Sequence, residues 1–235
     1  MGLDVYVGSL TRYFAGDWEL IAQTAARELG LEINIIRKHN PEDAIRDPEA
    51  LRPMVVNWRE GLSQALAASL DAPLDWEEGS SAPYFTDKPT WDCYGDLLLW
   101  AGYEEQPHLV RPKPSVEDWG EDPAYKLSSD DRFPSRYSHL YGVELWLPCP
   151  FRFVFEADDM GGNTIRIGSS AELLPQLGEL NNRTWQASRN QLSEWRRDGS
   201  EHGAPLESGA RFAFAVFRDL AEQSVEHRLP MRLDW

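Results

Sequence analysis

Leu3-Asp4-Val5-Tyr6-Val7-Gly8 sets Leu3, Val5 and Val7 against Asp4, Tyr6 and Gly8, the period of two that marks a strand with one buried face. Helical spacing follows. Asp17 stands before the apolar-periodic stretch Trp18 to Leu29, where it can cap the first turn, and Gly30 can supply a left-handed exit. Leu31 to Arg37 reads as a second strand, because Leu31, Ile33 and Ile35 share a face and β-branched residues are costly in a helix. Strand signals return only much later. Tyr141, Val143, Leu145 and Leu147 alternate, then Phe151, Phe153 and Phe155, then Thr164 to Gly168. Gly161-Gly162-Asn163 forms the hairpin turn before that last run, and Met231 to Trp235 reads as a closing strand.

Between and after these runs lie helices. Asp47-Pro48 is a cap followed by a first-turn proline, and Leu51, Val55, Trp58, Leu62 and Leu66 recur at helical spacing toward Leu70. Thr90 caps a helix whose apolar face is Trp91, Tyr94, Leu98 and Ala101. Ser169-Ser170-Ala171-Glu172 opens another with Leu173, Leu174, Leu177 and Leu180 inward, Thr184 to Arg197 forms a further one, and Ser208 to Arg228 carries the broadest apolar face. Five prolines interrupt residues 107–134, which read as a surface excursion with one helical turn after Asp122-Pro123. Strands in early and late groups with helices between them predict an α+β fold: one domain over 1–235 with a mixed or antiparallel sheet packed against several amphipathic helices.

Charge bounds the function. Asp and Glu total 39 against 23 Lys and Arg, a net charge of −16, and ten Trp make the chain aromatic-rich. A field of that sign repels phosphate backbones and anionic lipid, so duplex nucleic acid and membranes are not expected partners, whereas a basic protein is. No secretory signal or membrane-length apolar run is present, and Tyr6 stands where a myristoylation motif needs Ser or Thr. Cys93 and Cys149 lie far apart with no C-x-x-C spacing, which fits a reducing, cytoplasmic compartment.

The densest polar cluster is predicted at one end of the first strand. Asp17 and Glu19 place two carboxylates near the first β-to-α connection, where an acid and a base could both arise, and Arg12-Tyr13 adds an anion clamp and a hydroxyl donor. The plainer reading makes Asp17 a helix cap, sets Glu19 against the positive helix end, and leaves Asp4 on a solvent face by strand alternation. Tyr84 and Phe85, in a proline-flanked loop, are candidates for a sugar- or nucleobase-binding surface. Glu104, Glu105 and His108 lack metal-site spacing because Pro107 breaks any helix before His108. Asp158 and Asp159 lack a calcium-loop pattern. Phosphate-loop, dinucleotide and Gly-x-Ser-x-Gly signatures are absent, so no metal or cofactor is predicted.

The stretch Met1 to Gly8 with Leu10-Thr11-Arg12-Tyr13 and Gly16-Asp17-Trp18-Glu19, taken with Phe151 to Leu180 and its Ile167-Gly168-Ser169-Ser170, resembles an uncharacterised family of acidic bacterial proteins. That resemblance implies a bacterial, cytosolic, single-domain protein and transfers no catalytic residue. The leading expectation is an interaction protein of immunity or antitoxin type that covers a basic partner. The alternatives are a small-molecule hydrolase using Asp17, Glu19, Arg12 and Tyr13, and a sugar- or nucleobase-binding module.

Overall fold

In the computed structural model, which describes residues 3–31, 47–79, 81–130, 132, 135–201 and 203–234, the first and last strands lie side by side. β1 (Asp4–Val7) pairs antiparallel with both β2 (Phe85–Asp87) and β6 (Met231–Asp234), with Val5 opposite Asp87 and Leu233. β6 continues antiparallel to β3 (Leu145–Leu147), β3 is parallel to β5 (Thr164–Ser169), and β5 closes an antiparallel hairpin with β4 (Phe155–Asp158). The sheet is therefore mixed, in the order β2-β1-β6-β3-β5-β4, and helices pack against it: an α+β fold.

Eight α-helices surround the sheet among the described residues: α1 (Leu10–Ala15), α2 (Ile21–Glu28), α3 (Pro48–Ala65), α4 (Trp91–Glu105), α5 (Pro123–Ser128), α6 (Ser170–Arg183), α7 (Arg189–Asp198) and α8 (Leu206–His227). One face of the sheet presents Leu3, Val5, Val7, Trp146, Met231 and Leu233 to α4, α6 and α8. The other face presents Leu145, Leu147, Ile165 and Ile167 to Leu10 of α1, Val55 of α3, and Leu74 with Trp76. Both faces are thus covered. Residues 145–147 are wholly buried because β3 lies in the middle of the sheet with apolar layers above and below. For the same reason the predicted alternation fails there: Val143 and Trp146 join one core while Leu145 and Leu147 join the other.

Several helix ends follow the sequence signals. Asp47 accepts from Glu49 N, Thr90 from Cys93 N and Ser169 from Glu172 N, each filling a first-turn donor that the helix itself leaves open. The first helix does not. Asp17 caps nothing, because a helix absent from the sequence reading begins at Ser9, whose side chain accepts from Arg12 N, and ends at Gly16 with φ 71°. Helix α2 starts only at Ile21, so Asp17 to Leu20 form a link without regular structure. The strand expected at 31–37 lies outside the described residues except for Leu31, which is exposed coil. Phe151 and Phe153 precede β4 rather than forming it; their rings and that of Phe155 cluster on the apolar face lined by Ile165 and Ile167.

The proline-bearing excursion is a strap. Trp119 lies over Gly95 of α4, where a Cβ would come within 2.1 Å of its ring, and α5 rests on Gly102. Ser115 donates to Asp96 at 2.8 Å, Tyr103 donates to Asp122 at 2.9 Å, and Leu206 N donates to Lys113 O at 3.1 Å. Both glycines of α4 are therefore places of close approach rather than helix weaknesses.

Candidate functional site

Register and alternation bring Asp4, Tyr6, Arg232 and Asp234 to one face of β1 and β6, opposite the face of Val5, Val7, Met231 and Leu233. Asp4 does not reach solvent as alternation on a one-sided sheet predicts: it is 7% exposed, since this second face is covered as well. Its Oδ2 lies 3.5 Å from Lys88 Nζ and its Oδ1 is buried without a hydrogen bond. Burial raises its carboxyl above the usual carboxylate range, against the pull of Lys88.

Tyr6 is wholly buried and donates to Ser9 O at 3.0 Å. Its ring folds back so far that a Cβ on Gly8 would stand 2.2 Å from the hydroxyl, which reserves position 8 for glycine. Around it pack Tyr13 at 5.4 Å, Trp18 at 4.9 Å and Tyr84 at 6.4 Å between ring centroids. The start of α1 is held by Glu78, whose two carboxylate oxygens accept from Leu10 N at 3.0 Å and Thr11 N at 2.8 Å while Trp76 Nε1 donates to it. An anion at open helical N–H groups is the favourable charge arrangement. Glu78 lies 67 residues from Thr11 in the chain, so no local pattern announces this contact.

The predicted residues separate into two sets. Tyr13 donates to Asp234 Oδ1 at 2.6 Å and lies under the Arg232 guanidinium at 4.8 Å; burial pushes its phenol well above the ordinary tyrosine range, so it is a fixed donor at neutral pH. Arg12 donates to Ala82 O at 2.6 Å, stands 5.1 Å over the Tyr84 ring, and has its Nε 3.6 Å from the exposed Asp17 carboxylate. Glu19 turns away to Arg27 at 3.3 Å and to Thr24. Tyr84 and Phe85 do not share a surface. Successive residues at a strand point to opposite faces, so Tyr84 joins the Tyr6 cluster while Phe85 stacks on His227 at 5.2 Å beside α8.

A second charged chain lies along β6. Arg232 donates to Asp159 Oδ2 at 2.7 Å, and Asp159 also accepts from Gly161 N and Asn163 N, so the hairpin aspartate ties its own turn to the central sheet. Burial disfavours the Arg232 charge, yet Tyr13 and Asp159 keep it protonated. Glu104 at the end of α4 takes Arg183 at 2.6 Å and the Tyr137 hydroxyl at 2.6 Å; burial opposes its charge, but these partners and Arg136 hold its carboxyl low. Among the described residues no group of three or more His, Cys, Asp or Glu is placed to hold a metal ion. None of the helices there is long and apolar enough to cross a membrane.

Two buried titratable groups, His139 and Asp96, went unnoticed in the sequence, and Cys149 was noted there only for its distance from Cys93. His139 is 1% exposed, accepts from Ser169 N through Nδ1 at 2.9 Å, and is driven by burial down to about 4, so it stays neutral. Asp96, in the middle of α4, is 4% exposed and burial pushes its carboxyl up to about 7 despite the Ser115 hydroxyl. Cys149, a free thiol that donates to Asp75 O at 3.2 Å, lines a cleft of about 330 Å³ between residues 70–75 and 148–150; burial raises its pKa, which leaves it protonated and poorly nucleophilic.

On the outside, the strap packs against the start of α4 through Trp119. Trp91 is the one aromatic among the exposed large apolar side chains of the described residues, at 36%. Its ring rests 5.8 Å from Trp119 and 5.9 Å from Tyr94. Asp92, Glu117 and Asp118, adjacent to these indoles in the chain, are all exposed. Compared with known proteins, the chain matches no family model, no curated protein and no solved structure.

Proposed function

We propose that this protein acts by binding a basic protein partner, in the manner of an immunity or antitoxin protein. One observation carries the reading: the polar groups from which a catalytic centre was expected are each engaged by a different structural neighbour, while the chain carries a large net negative charge. Tyr13 is committed to Asp234, Arg12 to the Ala82 carbonyl, and Glu19 to Arg27. Asp17 and Glu19 thus have separate partners instead of facing a shared substrate position. Meanwhile Asp17, Glu49, Glu60, Asp92, Glu117 and Asp118 are exposed in a chain of net charge −16. Such a surface steers an oppositely charged protein and raises its encounter rate.

The test is kinetic. A purified partner captured from the source organism is expected to be basic, and its association rate should fall as salt screens exposed charges over about 8 Å at physiological ionic strength. Dissociation, governed by desolvated contacts, should change far less. An acidic partner, or an association rate indifferent to salt, overturns the electrostatic reading.

A further inference from the structure

The sheet ends on β4, and the ladder shows which of its backbone groups are spent. In an antiparallel pair, residues that exchange both bonds alternate with residues whose N–H and C=O point to the far side. The Asp159 N–H donates to Asn163 O at 2.8 Å where the β4–β5 hairpin turns. Alternation from there assigns Ala157 and Phe155 to bonded pairs with Ile165 and Ile167, and turns the backbone groups of Glu156 and Asp158 outward. Neighbouring bonds fit. Arg166, opposite Glu156, gives its carbonyl to Glu144 N at 2.9 Å on the side away from β4, and the Asp158 carbonyl accepts the Trp58 indole N–H from α3 at 2.8 Å. The N–H and C=O of Glu156 and the N–H of Asp158 thus face an edge on which, among the described residues, no further strand pairs.

Side chains select the occupant. On one face of β4, Phe155 and Ala157 are half-buried in an apolar layer that Trp58, Phe153 and Met160 border. On the other face Glu156 and Asp158 are exposed, and neither is in an ion pair with a described residue. Two copies joined edge to edge would set these carboxylates against one another, a like-charge pairing that weakens a ladder; acids on an edge strand keep it from its own kind and leave it open to a strand of opposite sign. Arg152 is exposed ahead of β4, beyond the Phe155–Ile167 pair that ends the ladder, so the basic residues of an added strand belong beside Glu156 and Asp158. Such a strand alternates its faces as β4 does, with main-chain bonds supplying affinity and alternate side chains supplying selection. We propose that the outer edge of β4 is where an extended segment of a partner protein docks, its basic residues on the face of Glu156 and Asp158 and apolar residues between them. The inference rests on the reading of a basic partner and names the mode and the sequence pattern by which that partner binds.

The probe is a fluorescently labelled Val-Lys-Val-Lys-Val-Lys-Val peptide, titrated with the full-length protein and followed by anisotropy. Beside it run a peptide of the same composition with its lysines in one block, a version N-methylated throughout, and Val-Thr-Val-Thr-Val-Thr-Val. The alternating lysine peptide is expected to bind about tenfold better than each of the other three. Glu156→Gln with Asp158→Asn should weaken it several-fold, whereas Glu117→Gln with Asp118→Asn, an equal change of charge on exposed positions of the strap, should have little effect. Glu156→Pro deletes the outward N–H without taking a bond from the β4–β5 ladder, a place where an edge strand tolerates proline, and should abolish the preference for alternation. A thermal melt of each variant checks that it is folded, and the N-methylated peptide removes the same bonds from the other side with no variant at all. If the block and N-methylated peptides bind as well as the alternating one, the β4 edge is overturned and the basic-partner reading stands. If the Val-Thr peptide binds as well as the lysine peptides, the proposal and the basic-partner reading fall together. Sedimentation of the protein alone tests the remaining occupant: a dimer that Glu156→Pro dissociates would give the edge to a second copy and overturn the proposal.

Discussion

Asp17 and Tyr13 are neighbours with opposite expectations. The Asp17 carboxylate is 63% exposed and 3.6 Å from its arginine, so Asp17→Asn should shift stability by no more than about 0.5 kcal/mol. Tyr13→Phe removes a donor from Asp234 beneath packed rings and should cost about 1–2 kcal/mol in denaturant unfolding. A loss of about 1 kcal/mol or more from Asp17→Ala, which unlike Asn cannot cap, would restore the cap role that the helix boundaries deny it. Asp96 and His139 make stability depend on pH in opposite senses. Asp96 has its folded pKa raised from 3.8 to about 7, so the stability it contributes is full below about pH 4 and lost as pH rises to about 7. His139 has its folded pKa lowered from 6.5 to about 4, so its contribution is full above pH 6.5 and lost as pH falls toward 4. Asp96→Asn should therefore raise the melting temperature at pH 8, by a stabilisation on the order of 2–4 kcal/mol, and leave it nearly unchanged at pH 4. His139→Asn, which can keep an acceptor for Ser169 N, should flatten the acid side of the profile. Melting curves of both variants across that range check the signs.

Helix α4 owes its burial to what its small residues admit. Gly61 and Gly95 both sit inside helices, but a Cβ on Gly61 meets nothing within 4 Å while one on Gly95 meets the Trp119 ring at 2.1 Å. Gly61→Ala should stabilise the protein by about 0.4–1 kcal/mol, through reduced freedom of the unfolded chain. Gly95→Ala gains the same propensity yet displaces an aromatic ring from a close-packed seat, and overpacking of that kind costs about 1–3 kcal/mol, so the net effect is destabilising. Chemical denaturation of the pair measures both signs at once. Equal stabilisation by the two substitutions would mean that the strap does not press on α4 in solution.

The whole molecule is joined through its ends. A cut beside Val110, the most exposed apolar residue of the strap at 92%, leaves β1, β2 and α4 on one fragment and β3–β6 with α5–α8 on the other. The β1–β6 ladder and the α4–α8 contact both cross that cut. Limited proteolysis there is expected to yield two fragments that elute together under native conditions and separate only in denaturant. Independently folded halves would overturn the single-domain assignment.

Local chemistry was legible in the chain wherever a few neighbouring residues settle the matter. The caps at Asp47, Thr90 and Ser169, the turn at Gly161-Gly162-Asn163 and the helical turn at Pro123 all follow from side chains that bond their own backbone or from φ that only some residues tolerate, and the closing strand after α8 follows from its alternation. Ser9 and Gly16 carried the signals for α1, but only one and a half turns lie between them and periodicity needs a longer run. Strand β2, three residues long, exists because β1 offers it an open edge. Tertiary structure alone decided that both sheet faces would be covered, which buries Asp4 and Trp146 alike. It also brought Glu78 to the start of α1, Asp234 to Tyr13 and Trp119 to Trp91. These contacts join segments far apart in the chain, and their free energy comes from water excluded between surfaces that meet only after the sheet has formed. Residue types and spacing settle what a segment can become; which polar groups end as structure and which remain on the surface for a partner depends on what packs over them.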